Sequence, residues 1–169
     1  MTRMGRVATT VLLGLGAVPS LVSAAINATS SGTITSTIRA PLTLTTGSTL
    51  SFGTVVRPAS GTGTLTVSTG GALSATGFTL TSVSSNAPSA GSFTVAGDAN
   101  ALVSVTIPAT FSLSNGSGNT LTVTTSSSPG TTLNASGTLT VTVGGSVPFG
   151  STTARGNYTG TMTVSASYN

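Results

Sequence analysis

The sequence predicts an all-β protein built as an antiparallel β-sandwich, and three observations predict it. Apolar residues alternate with Ser and Thr in short runs, the period-two pattern of strands with one packed face and one wet face. Gly, Asn and Pro punctuate those runs about every 8–12 residues, a turn spacing typical of sandwiches and barrels. Hydrophobic residues make up 37% of the chain but aromatics only 4%. The core is therefore aliphatic, and the abundant Thr suits a pleated surface. At 169 residues the chain is long enough for one core.

The first element is a leader. Met1–Arg6 carries Arg3 and Arg6, and Val7–Leu21 is apolar, with Gly14, Gly16 and Pro19 near its end. Val22-Ser23-Ala24 then supplies the −3 and −1 positions of a cleavage site. This three-part pattern predicts a secretory signal peptide over residues 1–24, with Ala25 as an alternative last residue. A transmembrane anchor is the rival reading, but the apolar run is short for a span of about 20 residues. No second membrane segment follows, so no membrane span is expected after cleavage.

Strands are then predicted in order. Thr33–Arg39 alternates through Ile34 and Ile38; Pro41 interrupts, and Leu42 and Leu44 continue. Thr49–Val56, Thr62–Ser68, Phe78–Val83, Ser92–Ala96 and Ala101–Ile107 follow. Phe111 and Leu113 form a short piece after Pro108. Thr120–Thr125 and Gly137–Val143 come next. The last strand, Tyr158–Tyr168, carries Met162, Val164, Ala166 and Tyr168 on one face. Ser84–Gly91, Asn115–Asn119 and Ser126–Gly130 read as loops. No linker divides the chain. Residues 41–169 are expected to form one sandwich, and residues 25–40 either an extension or its first strand. An outer-membrane barrel shares the alternation but wants aromatic girdles at both interfaces, which five Phe and two Tyr do not supply.

Composition excludes most chemistry. Beyond Ala24 there is no His, Cys, Lys, Glu, Gln or Trp, and the charged side chains are Arg39, Arg57, Asp98 and Arg155. General acid–base catalysis needs a His, carboxylate or Lys near the reacting proton, and a nucleophilic Ser or Thr needs an adjacent base. A tight metal site needs several His, Cys or carboxylate ligands. No catalytic residue, cofactor or metal is therefore expected, and the protein reads as a non-enzyme. The pI of about 11.4 reflects the scarcity of acids. Three dispersed arginines do not make the cluster that neutralises phosphates, so no nucleic-acid partner is expected. Without Cys, no disulfide can staple the fold.

Several stretches resemble, in order, the bacterial family known as domain of unknown function 4402. They are Pro41-Leu-Thr-Leu44, Leu50-Ser-Phe-Gly53-Thr54 and Ala90-Gly-Ser-Phe-Thr-Val-Ala-Gly97-Asp98. Val105-Thr-Ile-Pro108, Leu139-Thr-Val-Thr-Val-Gly-Gly145 and Gly156-Asn-Tyr158-Thr-Gly160-Thr-Met-Thr-Val164 continue the series. The resemblance implies export and a β-rich fold and brings no catalytic residue. A looser resemblance joins Thr161-Met-Thr-Val-Ser-Ala-Ser-Tyr168-Asn169 to the last strand of chaperone–usher pilins and spore-coat-U-type surface proteins. It implies an immunoglobulin-like or pilin-like sandwich in which a neighbour's N-terminal extension adds a strand.

Two readings of Ile26–Ile38 stay open. As a donor strand it presents Ile26, Ile34 and Ile38 in one phase. As a simpler alternative, Thr33–Leu44 is the domain's own first strand behind a loose tail. The near absence of charge bears on this choice, because soluble β proteins guard their edges with Lys, Pro and other charges. Asp98 reads as a turn residue more readily than as a calcium ligand with Asn100. The arginines read as solubility residues or as anionic-glycan contacts. Tyr158 and Tyr168 read as packing or sugar-stacking residues, and Tyr158 as a candidate corner hydrogen bond.

The sequence thus points to an exported, non-catalytic surface subunit, fimbria-like or coat-like, located from the periplasm outward. It would assemble by strand pairing with itself or with other surface subunits, and a periplasmic chaperone is a candidate partner. Ile34 and Ile38 are the donor anchors, and Met162, Val164, Ala166 and Tyr168 line the acceptor or meet the chaperone. The alternative is a monomeric adhesin or glycan-binding sandwich.

Overall fold

The structure, a computed structural model, describes residues 29–83, 86–127 and 129–169. The leader expected over residues 1–24 and Ile26 lie outside the described residues. Thr37–Asn169 form one compact unit. Of the unit before it, residues 29–36 are described; they are exposed and have no regular structure.

The described residues form eleven strands and no helix. They are β1 (Thr43–Ser48), β2 (Thr54–Val55), β3 (Thr62–Val67), β4 (Leu73–Thr76), β5 (Ser82–Val83) and β6 (Gly91–Ala96), followed by β7 (Val103–Thr106), β8 (Thr110–Ser114), β9 (Thr120–Ser127), β10 (Thr138–Gly150) and β11 (Ser165–Tyr168). All pairings are antiparallel. Seven strands form the main sheet, with β1, β6, β10, β3 and β4 linked in that order by hydrogen bonds and β9 and β8 branching from β10.

The register explains the branch. Val143 faces Gly91 of β6 and Ser127 of β9, and Gly145 faces Val67 of β3 and Thr125 of β9. A strand has two edges, so β6 and β3 share one edge of β10 end to end. β9 takes the other edge across their junction. No room is left there for a side chain. A Cβ on Gly145 would lie 2.8 Å from Val123 Cγ1 and 3.2 Å from Leu50 Cδ2. Pro148 is tolerated in the same strand because β9 pairs only as far as Ser146, leaving β10 with one neighbour beyond it.

Two apolar clusters make the core. In one, Leu44, Val95 and Leu139 of the main sheet meet Val103, Val105, Ala166 and Tyr168 of the two-stranded β7–β11 sheet. This is face-to-face packing of two sheets, a sandwich. In the other, Leu65, Val123 and Val147 are buried, with Phe111, Leu113, Leu121 and Phe149 beside them. Phe52, Val55, Phe78 and Leu80, on or near the short β2–β5 pair, pack against that second cluster. The Phe78 and Phe149 rings lie 5.6 Å apart in a tilted arrangement. Each fully buried Val or Leu contributes about 1.5–3 kcal/mol relative to an exposed one.

Three differences from the expected elements have physical reasons. The first strand begins at Thr43 and not at Thr33. Pro41 has no N–H for a ladder, and the backbone of Ala40 bonds to side chains instead. Regular pairing of the last strand covers only Ser165–Tyr168, although Thr159 makes a lone bridge to Ser114. β10 runs through Gly144-Gly145 and Pro148 to Gly150, where a stop was expected after Val143.

Candidate functional site

The second cluster is only partly covered. Between Thr49–Arg57 and the run from Thr153 to Met162 lies an open groove of about 890 Å³. Its apolar floor comes from the inward faces of three strands. β10 gives Val147 and Phe149, β8 gives Phe111 and Leu113, and β3 gives Leu65. Phe52 and Val55 form one wall, and Met162 stands on the other. The sheet behind the floor is continuous, whereas the layer over it is reduced to two-residue strands and irregular chain.

The irregular wall is held locally. The Tyr158 hydroxyl donates to Ala154 O at 3.0 Å, a corner bond back to the chain four residues upstream. The Arg57 guanidinium donates to Thr153 O at 3.1 Å. Arg57 and Arg155 both line the groove, and no carboxylate lines it. Asp98 belongs to the opposite end of the sandwich. Asp98 opens a turn, as expected, its carbonyl accepting the Ala101 N–H at 3.2 Å, but its carboxylate accepts the distant Ala40 N–H at 3.0 Å. Among the described residues no three His, Cys, Asp or Glu side chains gather as a metal site.

The residues singled out in the sequence fall into three groups. Ile34 and Ile38 stand 96% and 94% exposed, in a segment without strand pairing ahead of β1. Met162 lines the groove. Ala166 and Tyr168 pack into the domain's own first cluster, opposite Val105 and Val103 of β7, and Val164 is half-buried just before them. The groove floor was not singled out as a site. Phe111, Leu113 and Phe149 alternate like any core residues, and no residue type signals that a covering strand is missing.

The fold and groove define an all-β domain with an incompletely covered sandwich and an apolar cleft. The chain belongs to the family described as a domain of unknown function, DUF4402, whose profile matches residues 42–168. No curated protein matches the chain, and no solved structure does.

Proposed function

We propose that this is an exported, non-catalytic surface protein that works as a structural subunit, fimbria-like or coat-like, joined to its neighbours by β-strand pairing. The observation that carries this reading is the near-complete exposure of Ile34 and Ile38 in an unpaired arm. Two isoleucines four positions apart point the same way in an extended chain, about 13 Å from each other. The open groove offers an apolar floor for such a pair, with Met162 at its wall. Burying both side chains there contributes about 3–6 kcal/mol before the cost of ordering the arm.

The test is the double substitution Ile34→Asp, Ile38→Asp, with protein taken from its own cell surface. Wild type is expected to give a heat-sensitive ladder on unboiled gels and filaments in electron microscopy. The double variant should fold with the same circular dichroism yet remain monomeric. Polymers that persist unchanged in the variant overturn the donor role of the arm.

A second reading, a monomeric adhesin or glycan-binding module, draws on Arg57 and Arg155 in one groove without a carboxylate. That arrangement suits a small anionic sugar. A wild-type protein that runs as a single band and retains a sialylated or phosphorylated glycan would favour it.

A further inference from the structure

The arm leaves the domain at a point tied down by side chains from the turn after β6 and from β11. The Ala40 N–H donates to Asp98 Oδ1 at 3.0 Å, and the Ala40 carbonyl accepts from the Tyr168 hydroxyl at 3.1 Å. The same hydroxyl accepts the Asp98 N–H at 2.8 Å, so it serves as donor and acceptor at once. The Arg39 guanidinium carbon sits 5.0 Å from the centre of the Tyr168 ring. Gly97 makes the approach possible, because a Cβ there would collide with the Tyr168 hydroxyl. Pro41 restricts both its own φ and the conformation of Ala40. Both backbone polar groups of Ala40 are thus engaged, and its torsions are confined.

We propose that Asp98 and Tyr168 act as positioning residues that fix the root of the arm and so present Ile34 and Ile38 to a second copy of this chain. The inference rests on the assembly reading above. Ala40 lies outside the strand ladders and is itself exposed, so its capture adds little apolar burial to the domain. A root free to swivel would spread the arm over many directions, and productive pairing would bear that ordering cost. Fixing the root removes part of it in advance. The lone acid of the chain is then used for its oxygen at this junction, not for catalysis or metal binding.

The test compares three variants of the full exported protein: Tyr168→Phe, Asp98→Ala and Asp98→Asn. The first two remove a hydrogen-bonding group, while the third keeps an oxygen at Oδ1 for the Ala40 N–H. Three readouts are taken: the melting temperature, the hydrogen-exchange rate of the Ala40 amide, and the rate of ladder formation. Tyr168→Phe and Asp98→Ala should stay folded, exchange faster at Ala40 and assemble about fivefold to tenfold more slowly, the effect of losing one of the two hydrogen bonds that hold Ala40. Asp98→Asn should match wild type in all three. Wild-type assembly rates in both deletion variants overturn the clamp and leave the assembly reading intact. Failure of both to fold assigns the contacts to stability and also overturns it. Wild-type protein that forms no ladder overturns the assembly reading and the clamp together.

Discussion

Leu133 illustrates how a single side chain can matter more than its setting suggests. It lies outside the named strands in a Ser/Gly/Asn-rich stretch, yet it is 1% exposed and joins Val95 and Val103 in the first cluster. Its place is held by backbone bonds, with Leu133 N–H donating to Ala101 O and Val103 N–H to Thr131 O, each at 2.9 Å. Leu133→Ala should cost about 2–5 kcal/mol, because the surrounding sheets cannot close around the void. Leu102, 54% exposed and in the opposite phase to Val103, should change stability by about 0.5 kcal/mol or less on the same substitution. Urea unfolding of the two variants checks the contrast, and equal losses would contradict this placement of the core. No alternation marks Leu133 in the sequence, since it is an isolated apolar residue between turn formers. Val95, Val103, Val123 and Val141 were legible because each sits in a period-two run.

At the scale of elements, strand existence was easier to read than strand extent. Thr62–Val67, Gly91–Ala96 and Val103–Thr106 fall within about two residues of expectation, because both faces of each run are unambiguous. β10 was cut short in the sequence reading because Gly144-Gly145 and Pro148 are usual breakers. There the glycines serve close approach of three strands, a tertiary cause invisible to local pattern. β4 was missed because Leu73-Ser-Ala-Thr76 offers only one large apolar residue. The groove was illegible for a similar reason, since its floor residues look like core and only the missing cover sets them apart. Ser146 is opposed by Thr66 on one side and Thr124 on the other, so a proline there must forfeit a ladder bond. Ser146→Pro should destabilise by about 3 kcal/mol or more, whereas Ser165→Pro, in a strand with one partner, should cost distinctly less. Chemical unfolding midpoints test the order, and a milder Ser146 variant would contradict the branched register.

Across the whole molecule, the poverty of charge has a measurable outcome. Beyond Ala24 the chain contains no His, Cys, Lys or Glu. No side chain of a type that ordinarily titrates between about pH 5 and 7 is present. Stability changes with pH only where folded and unfolded chains bind different numbers of protons. The melting temperature should therefore stay within about 2 °C across that window. A shift of more than about 5 °C, followed by calorimetry, would point to a titrating group that the composition does not contain. An aliphatic core and hydrogen-bonded sheets keep their strength in conditions that disarm salt bridges. Such stability would fit the exported role proposed above, since pH and ionic strength outside a cell are not controlled.

Among the described residues β10 alone ladders to both β6 and β3, and so joins the two halves of the main sheet. In a fibre built from such subunits, tension would enter at Ala40, run along β1, cross to β6 and then to β10, and leave through the groove half. Those ladders would be pulled along their strands, in shear, so their hydrogen bonds would have to fail together instead of one by one. Each subunit would then behave as a stiff link. A stretched fibre would part first where one copy's arm rests in the next, and it could close again once slack.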